Sequence, residues 1–375
     1  MKIGIITQPL ETNYGGLLQN YALQEALRRL GHEVTTLDQP YLIASRTKII
    51  KETVKSIVKK LFGREAQIPV YISKEEIDAI AINTSDFVEK YIYHTKKISS
   101  KNDFRRITKE LSLDALIVGS DQVWRPLYNP RLTRSFFDFA EDLNICRIAY
   151  AASFGTDDWE YTESQARTCS KLAKLFKAIS VREKSGINIC QERFGVDATF
   201  VLDPTMLLDK EDYIKIVENS GITKSEGDMF TYILDQTDKK KEFIKKVSTR
   251  LNLTPFSVMP HKNKQYIKKD IYNCIFPAVE QWLRAFIDAK FVVCDSFHGA
   301  VFSIIFNKPF VIIGNKERGM SRFNSLLNLY SLKDRLLDTT SNIDIVDKVI
   351  DWTKINEKRK EFKKTSIDFI KKNLR

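Results

Sequence analysis

Short apolar runs alternate along this chain with segments whose apolar residues recur at helical spacing. At the start, KIGIIT is one such run, residues 17–30 have helical spacing and end before Gly31, and EVTTLD is a second run. Further apolar runs lie at 114–120, 147–155, 178–183 and 198–204. A strand, a helix and a further strand form the unit of parallel sheets, so the pattern predicts a doubly wound α/β fold.

The second half of the chain repeats this alternation. It predicts strands at 229–235, 253–260, 291–296 and 309–314, and helices at 239–252, 278–289 and 298–307. Since 375 residues are too many for one compact core, we predict two Rossmann-like domains, 1–205 and 206–350, and a basic helix at 351–375. Such sheets bind ligands beyond the carboxyl ends of their strands, so we expect a site in a cleft between the domains.

Two predicted strands end in residues with distinctive chemistry. FVVCDSFHGA places Ser296, His298 and Gly299 where a strand gives way to a helix, whose first N–H groups favour an anion. A histidine there suits general acid and base chemistry near neutral pH. AISVREK ends another strand at Arg182, whose planar fork either binds a carboxylate or phosphate or pairs with a nearby acid such as Glu183.

Two loops carry the candidates for sugar recognition. NYGG precedes the first helix, for which Asn13 is the predicted cap, and it lacks the spacing and the lysine of a nucleotide loop. The segment GSDQVW follows a third strand and supplies Ser120, Asp121, Gln122 and Trp124. On this loop Trp124 either stacks on a sugar or fills a core, and the sequence favours neither.

These segments, in this order, resemble the polysaccharide pyruvyl transferase family. The matching segments, which cover roughly residues 1–335, are NYGGLLQNYALQEALRRLGHEV, GSDQVW, YAASFG, SVRE, VLDPT and DSFHGA. The resemblance implies a glycosyltransferase B-type architecture with two Rossmann-like domains facing across a cleft. It also implies metal-independent transfer of a pyruvyl group from phosphoenolpyruvate, as co-substrate, onto a hexose of a surface-polysaccharide precursor, which forms a ketal without a further cofactor.

The resemblance also implies residue roles. His298 matches the acid/base histidine, and Arg182 matches an arginine that binds the donor, with Ser296 and Gly299 beside it. The acceptor side comprises Asn13, Tyr14, Gly15, Gly16, Ser120, Asp121, Gln122, Trp124 and Ser153. Many relatives carry Arg-Leu before the His-Gly pair, whereas this chain has Ser296 and Phe297, so we expect Arg318 or Arg322 to supply the donor-binding charge.

The net charge of +12 is concentrated in residues 46–64 and 354–375, each with a net charge of +6. Residues 46–64 place apolar side chains on one face of a predicted helix and lysines on the rest. Such a helix either lies on an anionic membrane or packs on its own domain. A sugar acceptor on polyprenyl diphosphate, which the resemblance implies, would suit a membrane surface. No motif or aromatic interleaving points to nucleic acid.

The remaining composition points to a cytoplasmic protein, peripheral at the inner face of the membrane where its basic helices bind lipid. No apolar run would span a bilayer, no secretion signal is visible, and the five cysteines lack metal-ligand spacing. We therefore expect reduced thiols and no metal. Two other functions stay open: a nucleotide-sugar glycosyltransferase of the same architecture, with Glu280 as its candidate nucleotide ligand, and a non-catalytic member of the polysaccharide assembly machinery.

Overall fold

Two parallel β-sheets, one in each half of the chain, organise the protein. The computed structural model describes residues 1–43, 46–61, 70–314, 319–341 and 343–374. The first sheet has the order β2-β1-β3-β4-β5-β6. Its strands are β1 (Lys2–Ile6), β2 (Glu33–Thr36), β3 (Ala115–Val118), β4 (Cys146–Ala152), β5 (Ala178–Val181) and β6 (Thr199–Phe200). The strand order reverses between β1 and β3, the position at which such sheets open a crevice for ligands.

The second sheet has the order β11-β10-β9-β7-β8, and its pairings are also parallel. Its strands are β7 (Met229–Tyr232), β8 (Pro255–Phe256), β9 (Phe291–Cys294), β10 (Phe310–Ile313) and β11 (Leu336–Leu337). The predicted fold of two parallel-sheet α/β domains is therefore confirmed. The strand predicted at 253–260 shrinks to two paired residues at the sheet edge, where Pro255 costs no ladder hydrogen bond.

Helices flank both sheets. In the first half they are α1 (Tyr14–Arg29), α2 (Arg46–Leu61), α3 (Lys74–Ile80), α4 (Ile82–Tyr91), α5 (Lys101–Glu110), α6 (Glu163–Ala173) and α7 (Ser185–Ile189). In the second half they are α8 (Lys210–Glu218), α9 (Asp238–Leu251), α10 (Val279–Asp288), α11 (Phe297–Ile305), α12 (Ser321–Tyr330) and α13 (Trp352–Asn373). Except for α2, these helices bury apolar side chains against the rest of the protein, and β-strands that are covered on both faces read as continuous apolar runs.

The last helix returns to the first domain. Ile370 and Leu374 are buried in one cluster with Ile3 and Ile5 of β1. The Ser366 hydroxyl accepts a hydrogen bond of 3.0 Å from the backbone N–H of Leu202. The apolar side of α13 is thus used for packing, and Arg359 and Lys363 form ion pairs with Asp209. Membrane binding through the apolar side of 354–374 is therefore not supported.

Candidate active site

A cleft opens between the carboxyl ends of the two sheets. It encloses about 390 Å³, within the range of small-molecule sites. The first domain contributes Thr12, Asn13, Asp121 and Gln122 to its lining. The second contributes Tyr232, Leu234, Met259, Lys264, Phe276, Asp295, Ser296, Phe297, His298, Arg322 and Phe323. Polar groups therefore converge here from loops that follow strands of both sheets.

His298 lies where the two domains meet. It is the second residue of α11, whose N-cap Ser296 accepts a hydrogen bond of 3.3 Å from the Gly299 N–H. Its ring lies so close to Gly15 of α1 that a methyl group there would come within 2.6 Å of three ring atoms. Its Nε2 lies 3.7 Å from Oδ2 of Asp203, in the first domain. Both contacts across the domain boundary hold this imidazole at the cleft.

A buried network of charges supports the histidine. Arg182 donates to Asp203 at 2.7 Å and to Asp121 at 3.1 Å, and the Ser120 hydroxyl donates to Asp203 at 2.9 Å. Burial by itself would raise the pKa of Asp203, but the interaction with His298 and the charge of Arg182 hold it well below its ordinary value. Asp203 therefore stays ionised and can stabilise a protonated imidazole.

Asp121 links this network to the opposite side of the cleft. Its Oδ2 accepts a hydrogen bond of 2.9 Å from the side chain of Asn13, which also caps α1. Burial opposes its ionisation, yet Arg182, His298 and Arg322 lower its pKa. The residue adopts a positive φ of 71°, a conformation that Asp tolerates better than most residues. This strained turn directs the side chain of Asp121 toward its cationic partners.

Arg322 brings a second buried guanidinium to the cleft. It is the second residue of α12 and is almost fully buried, and its guanidinium lies 5.6 Å from the ring centroid of Phe297. The guanidinium of Arg182 lies 4.6 Å from the same ring. Burial, and then the nearby charge of Arg182, lower the pKa of Arg322 to about 10. An anion bound beside Arg322 would compensate for the loss of solvent and offset the repulsion from Arg182. This part of the cleft therefore favours a negatively charged ligand.

Asp295 lines the cleft but is fully engaged. Its carboxylate accepts hydrogen bonds from the backbone N–H groups of Leu234 and Asp235 and forms a 2.6 Å ion pair with Lys240. These partners fix the loop between β7 and α9 against the end of β9. Asp295 is therefore suited to shape the cleft and is a poor candidate for a catalytic base.

The structure brings six of the predicted site residues together at the cleft: Asn13, Asp121, Gln122, Ser296, His298 and Arg322. Arg182 does not line the cleft. Both of its terminal nitrogens bind carboxylates, so the structure does not support direct binding of the donor by this guanidinium. Arg318 lies outside the described residues. Gly15 and Gly16 give room for His298 and for the Asn13 cap, and Gly299 packs against Cys294.

Several residues predicted to contact the acceptor are buried within the protein. Trp124 is completely buried, stacks on Phe136 at a centroid distance of 4.7 Å and donates to the carbonyl of Ser135. Its prediction as a sugar-stacking residue is wrong, because the loop turns its indole into the core of the first domain. Ser120 and Ser153 are also fully buried, so neither can contact an acceptor in this conformation.

Tyr14 was also predicted to contact the acceptor, but it is buried at the domain boundary. There it stacks on Trp282, with ring centroids 5.7 Å apart, and its hydroxyl donates to the carbonyl of Pro277 at 2.8 Å. Its role is to join α1 to the second domain. Glu280, the candidate nucleotide ligand, is nearly buried on α10 and does not line the cleft.

Sequence reasoning missed Asp203 and Lys264. Asp203 follows β6 just as Arg182 follows β5, and that strand-end placement was the available signal. Lys264 reaches the cleft from the long loop before α10, and no periodicity marks its position. Across the described ranges, no group of three or more His, Cys, Asp or Glu side chains could hold a metal ion.

Solved structures with the same arrangement of two parallel-sheet α/β domains superpose on this chain. A UDP-GlcNAc 2-epimerase from Neisseria meningitidis superposes over 100% of this chain and 99% of its own, with a TM-score of 0.51 and 12% identity. The S. aureus MnaA–UDP co-structure covers 100% of this chain and 96% of its own, with a TM-score of 0.50 and 14% identity. These likenesses show the fold alone: the protein has the predicted glycosyltransferase B-type architecture.

The family follows from the sequence. The family model for polysaccharide pyruvyl transferase matches residues 13–317, and the chain belongs to this family. It is thus a transferase of polysaccharide biosynthesis. A search of curated proteins gives no match.

Proposed function

We propose that this protein transfers the pyruvyl group of phosphoenolpyruvate to a hexose of a surface-polysaccharide precursor and forms a cyclic ketal. The observation that carries the proposal is the pairing of a cleft-lining buried cation, Arg322, with a candidate acid/base residue, His298, at the start of α11. Phosphoenolpyruvate carries a phosphate and a carboxylate, and both need cationic partners in a desolvated site.

The residues can be assigned to the steps of this reaction. The methylene carbon of the donor takes a proton, for which His298 is the acid, and positive charge develops on the central carbon. A sugar hydroxyl attacks that carbon and gives its proton to His298, which restores the acid. The C–O bond to phosphate then breaks, a second hydroxyl attacks the same carbon to close the ketal, and its proton leaves with inorganic phosphate. Asp203 stabilises the imidazolium, while Arg322, Ser296 and the first turn of α11 hold the anionic donor.

On the opposite side of the cleft, Asn13 and Gln122 supply polar side chains for sugar hydroxyls. Asp121 is held by Arg182 and Asn13, and it positions that amide rather than acting as a base. Because both sheets contribute to one cavity, donor and acceptor can be held within reacting distance without a covalent intermediate on the protein.

Phosphate release from phosphoenolpyruvate in the presence of a panel of p-nitrophenyl hexosides tests the proposal. We expect release that depends on the acceptor, together with a ketal product whose mass exceeds that of the acceptor by one pyruvyl group. His298→Ala should lower turnover by about 10²–10⁴-fold, whereas His261→Ala, on an exposed loop, should not. Release of a nucleoside diphosphate from a nucleotide sugar, with no reaction of phosphoenolpyruvate, would contradict the proposal and support a glycosyltransferase.

A cytoplasmic location fits this chemistry. All five cysteines are thiols in the structure, and four of them are buried, as in proteins of a reducing compartment. No helix among the described residues is both long and apolar enough to cross a bilayer. Attachment to the membrane surface would bring the protein to a lipid-linked precursor.

A further inference from the structure

A groove extends from the cleft along the first domain. Asn13 and Gln122 line both the cleft and a second cavity of about 260 Å³, and Tyr41 and Tyr128 line both this cavity and a third of about 430 Å³. The three cavities therefore adjoin one another in a row that runs from His298 toward the outer surface of the first domain.

Two exposed aromatic rings flank this groove. Tyr41 is 48% exposed and Tyr128 is 39% exposed, in contrast to the buried Trp124. Each ring has a cation near it: Lys264 lies 5.4 Å from the centroid of Tyr41, and Arg125 lies 4.7 Å from that of Tyr128. The Arg131 side chain donates to the carbonyl of Pro40 at 2.6 Å, and this bond ties the segments that bear the two rings.

One polar group of the groove has no hydrogen-bond donor among the described residues. Gln39 lines the groove and is only 4% exposed; its amide nitrogen donates to the carbonyl of Thr7, but no described residue donates to its buried Oε1. A buried acceptor without a donor is costly, and a ligand hydroxyl that reached Oε1 from the groove would satisfy it. Apolar ring faces beside a hydroxyl-binding amide form the chemistry that recognises a pyranose.

We infer that this groove is the acceptor subsite, in which Tyr41 and Tyr128 stack on sugar rings and Gln39 accepts a hydrogen bond from a hydroxyl. The inference rests on the proposed function for the identity of the reaction. The groove offers more length than the cleft alone, so it would take a sugar of more than one ring and present its terminal hexose to His298.

Variants of Tyr128 test the subsite. Tyr128→Ala should raise the KM for a disaccharide acceptor by about tenfold, the loss expected for one stacked ring, with the KM for phosphoenolpyruvate unchanged. Tyr128→Phe keeps the ring and should remain near wild type, and Tyr272→Ala, an exposed tyrosine outside the groove, is the matched control. An unchanged acceptor KM in Tyr128→Ala and Tyr41→Ala would overturn the inference.

A second measurement separates this inference from the proposed reaction. Calorimetric binding of the disaccharide without any donor should weaken by the same factor in Tyr128→Ala. If the wild-type protein binds the sugar but never releases phosphate from phosphoenolpyruvate, the proposed donor fails and the subsite stands. If the wild-type protein turns over phosphoenolpyruvate while Tyr128→Ala binds the sugar normally, the subsite fails alone.

Helix α2 carries an independent feature. Its apolar residues Ile50, Val54, Ile57 and Val58 are 61%, 55%, 44% and 45% exposed. The same helix has a net charge of +5 in its sequence, from six Lys or Arg and one Glu. These four side chains are therefore not packed on the protein's own domain in this structure.

We propose that α2 lies on an anionic lipid bilayer, with Ile50, Val54, Ile57 and Val58 among the acyl chains and Lys51 and Lys55 at the headgroups. Charge complementarity selects this occupant, because a basic rim around an apolar face matches anionic lipid. The chain enters α2 shortly after Tyr41 and Leu42, which line the outer part of the groove. A bilayer at α2 would therefore lie near the groove mouth.

Co-sedimentation with vesicles of phosphatidylcholine and phosphatidylglycerol, three parts to one, tests this placement. We expect binding at low salt that falls steeply at about 1 M salt, where the Debye length is about 3 Å. Lys51→Glu with Lys55→Glu should abolish it, and Val54→Ser with Ile57→Ser should weaken it. Lys239→Glu with Lys245→Glu, on exposed positions of α9, is the control. Absence of binding at low salt, or equal loss in the α9 control, would refute the role of α2.

Discussion

Replacing Gly15 by alanine should disable the protein by displacing His298. Ordinary contacts of a methyl group lie at 3.4–4 Å, but a methyl at Gly15 would come within 2.6 Å of three atoms of the His298 ring. The ring or α11 must then move by about 1 Å. A misplacement of that size costs about 10²-fold in rate, so we expect kcat for phosphate release to fall by about that factor.

Stability should change much less than activity. Alanine gains up to about 1 kcal/mol in helix propensity over glycine, while overpacking costs about 1–3 kcal/mol. The net loss is therefore at most about 3 kcal/mol, below the roughly 5–15 kcal/mol that typically stabilises a folded protein, so the variant should stay folded. Gly119→Ala is the matched control, because the nearest atom to its added methyl, Oε1 of Gln19, lies at 3.4 Å.

A double-mutant cycle isolates the cause. In a His298→Ala background the clash disappears, so adding Gly15→Ala should lower the residual rate little, and the two effects should be strongly non-additive. If folded Gly15→Ala turns over within about threefold of wild type, the packing of His298 on Gly15 does not matter for catalysis. If the two effects add, the loss in Gly15→Ala has another origin than His298.

Three further expectations follow from the same structure. Arg322→Lys should raise the KM for phosphoenolpyruvate by about tenfold, since an ammonium cannot form the planar fork; Arg250→Lys, an exposed arginine paired with Asp347, should not, and an equal KM in both would remove Arg322 from the donor site. Burial raises the pKa of Asp38 from 3.8 to about 6, so the folded state holds that proton more tightly and the contribution of Asp38 to stability should fall as pH rises through this window, by at most about 3 kcal/mol. Urea titrations should therefore show wild type losing stability relative to Asp38→Asn between pH 4 and pH 7, and an equal stability difference at both pH values would contradict the assignment. Turnover should survive EDTA, because the proposed steps use only side chains of the protein, His298, Asp203 and Arg322; loss of turnover that a divalent ion restores would show a metal requirement.

The sequence was informative where a local rule determines the structure. Apolar runs that end in small or acidic residues predicted both parallel sheets, because strands buried on both faces leave that pattern whatever surrounds them. Strand-end placement likewise predicted His298 and Asp121 at the cleft, since parallel strands deliver their carboxyl ends to one edge. The loop residues could not be assigned in this way, because a loop side chain is placed by its partners.

The loop 120–131 shows why the positions of loop side chains could not be predicted from the sequence. It carries both Trp124 and Tyr128, and either could have been the exposed ring. Trp124 is buried because Phe136 and Phe154 offer it an apolar cavity, while Asn129 holds the turn by donating to the carbonyl of Val123. Phe136 and Phe154 lie outside the loop, so no pattern within the loop distinguishes the two rings. The same holds for Asp203 and His298, which belong to different domains and meet only when the sheets face each other. The residues that join the domains are therefore those for which structure adds most to sequence, and in this protein they are also the ones on which the proposed chemistry depends.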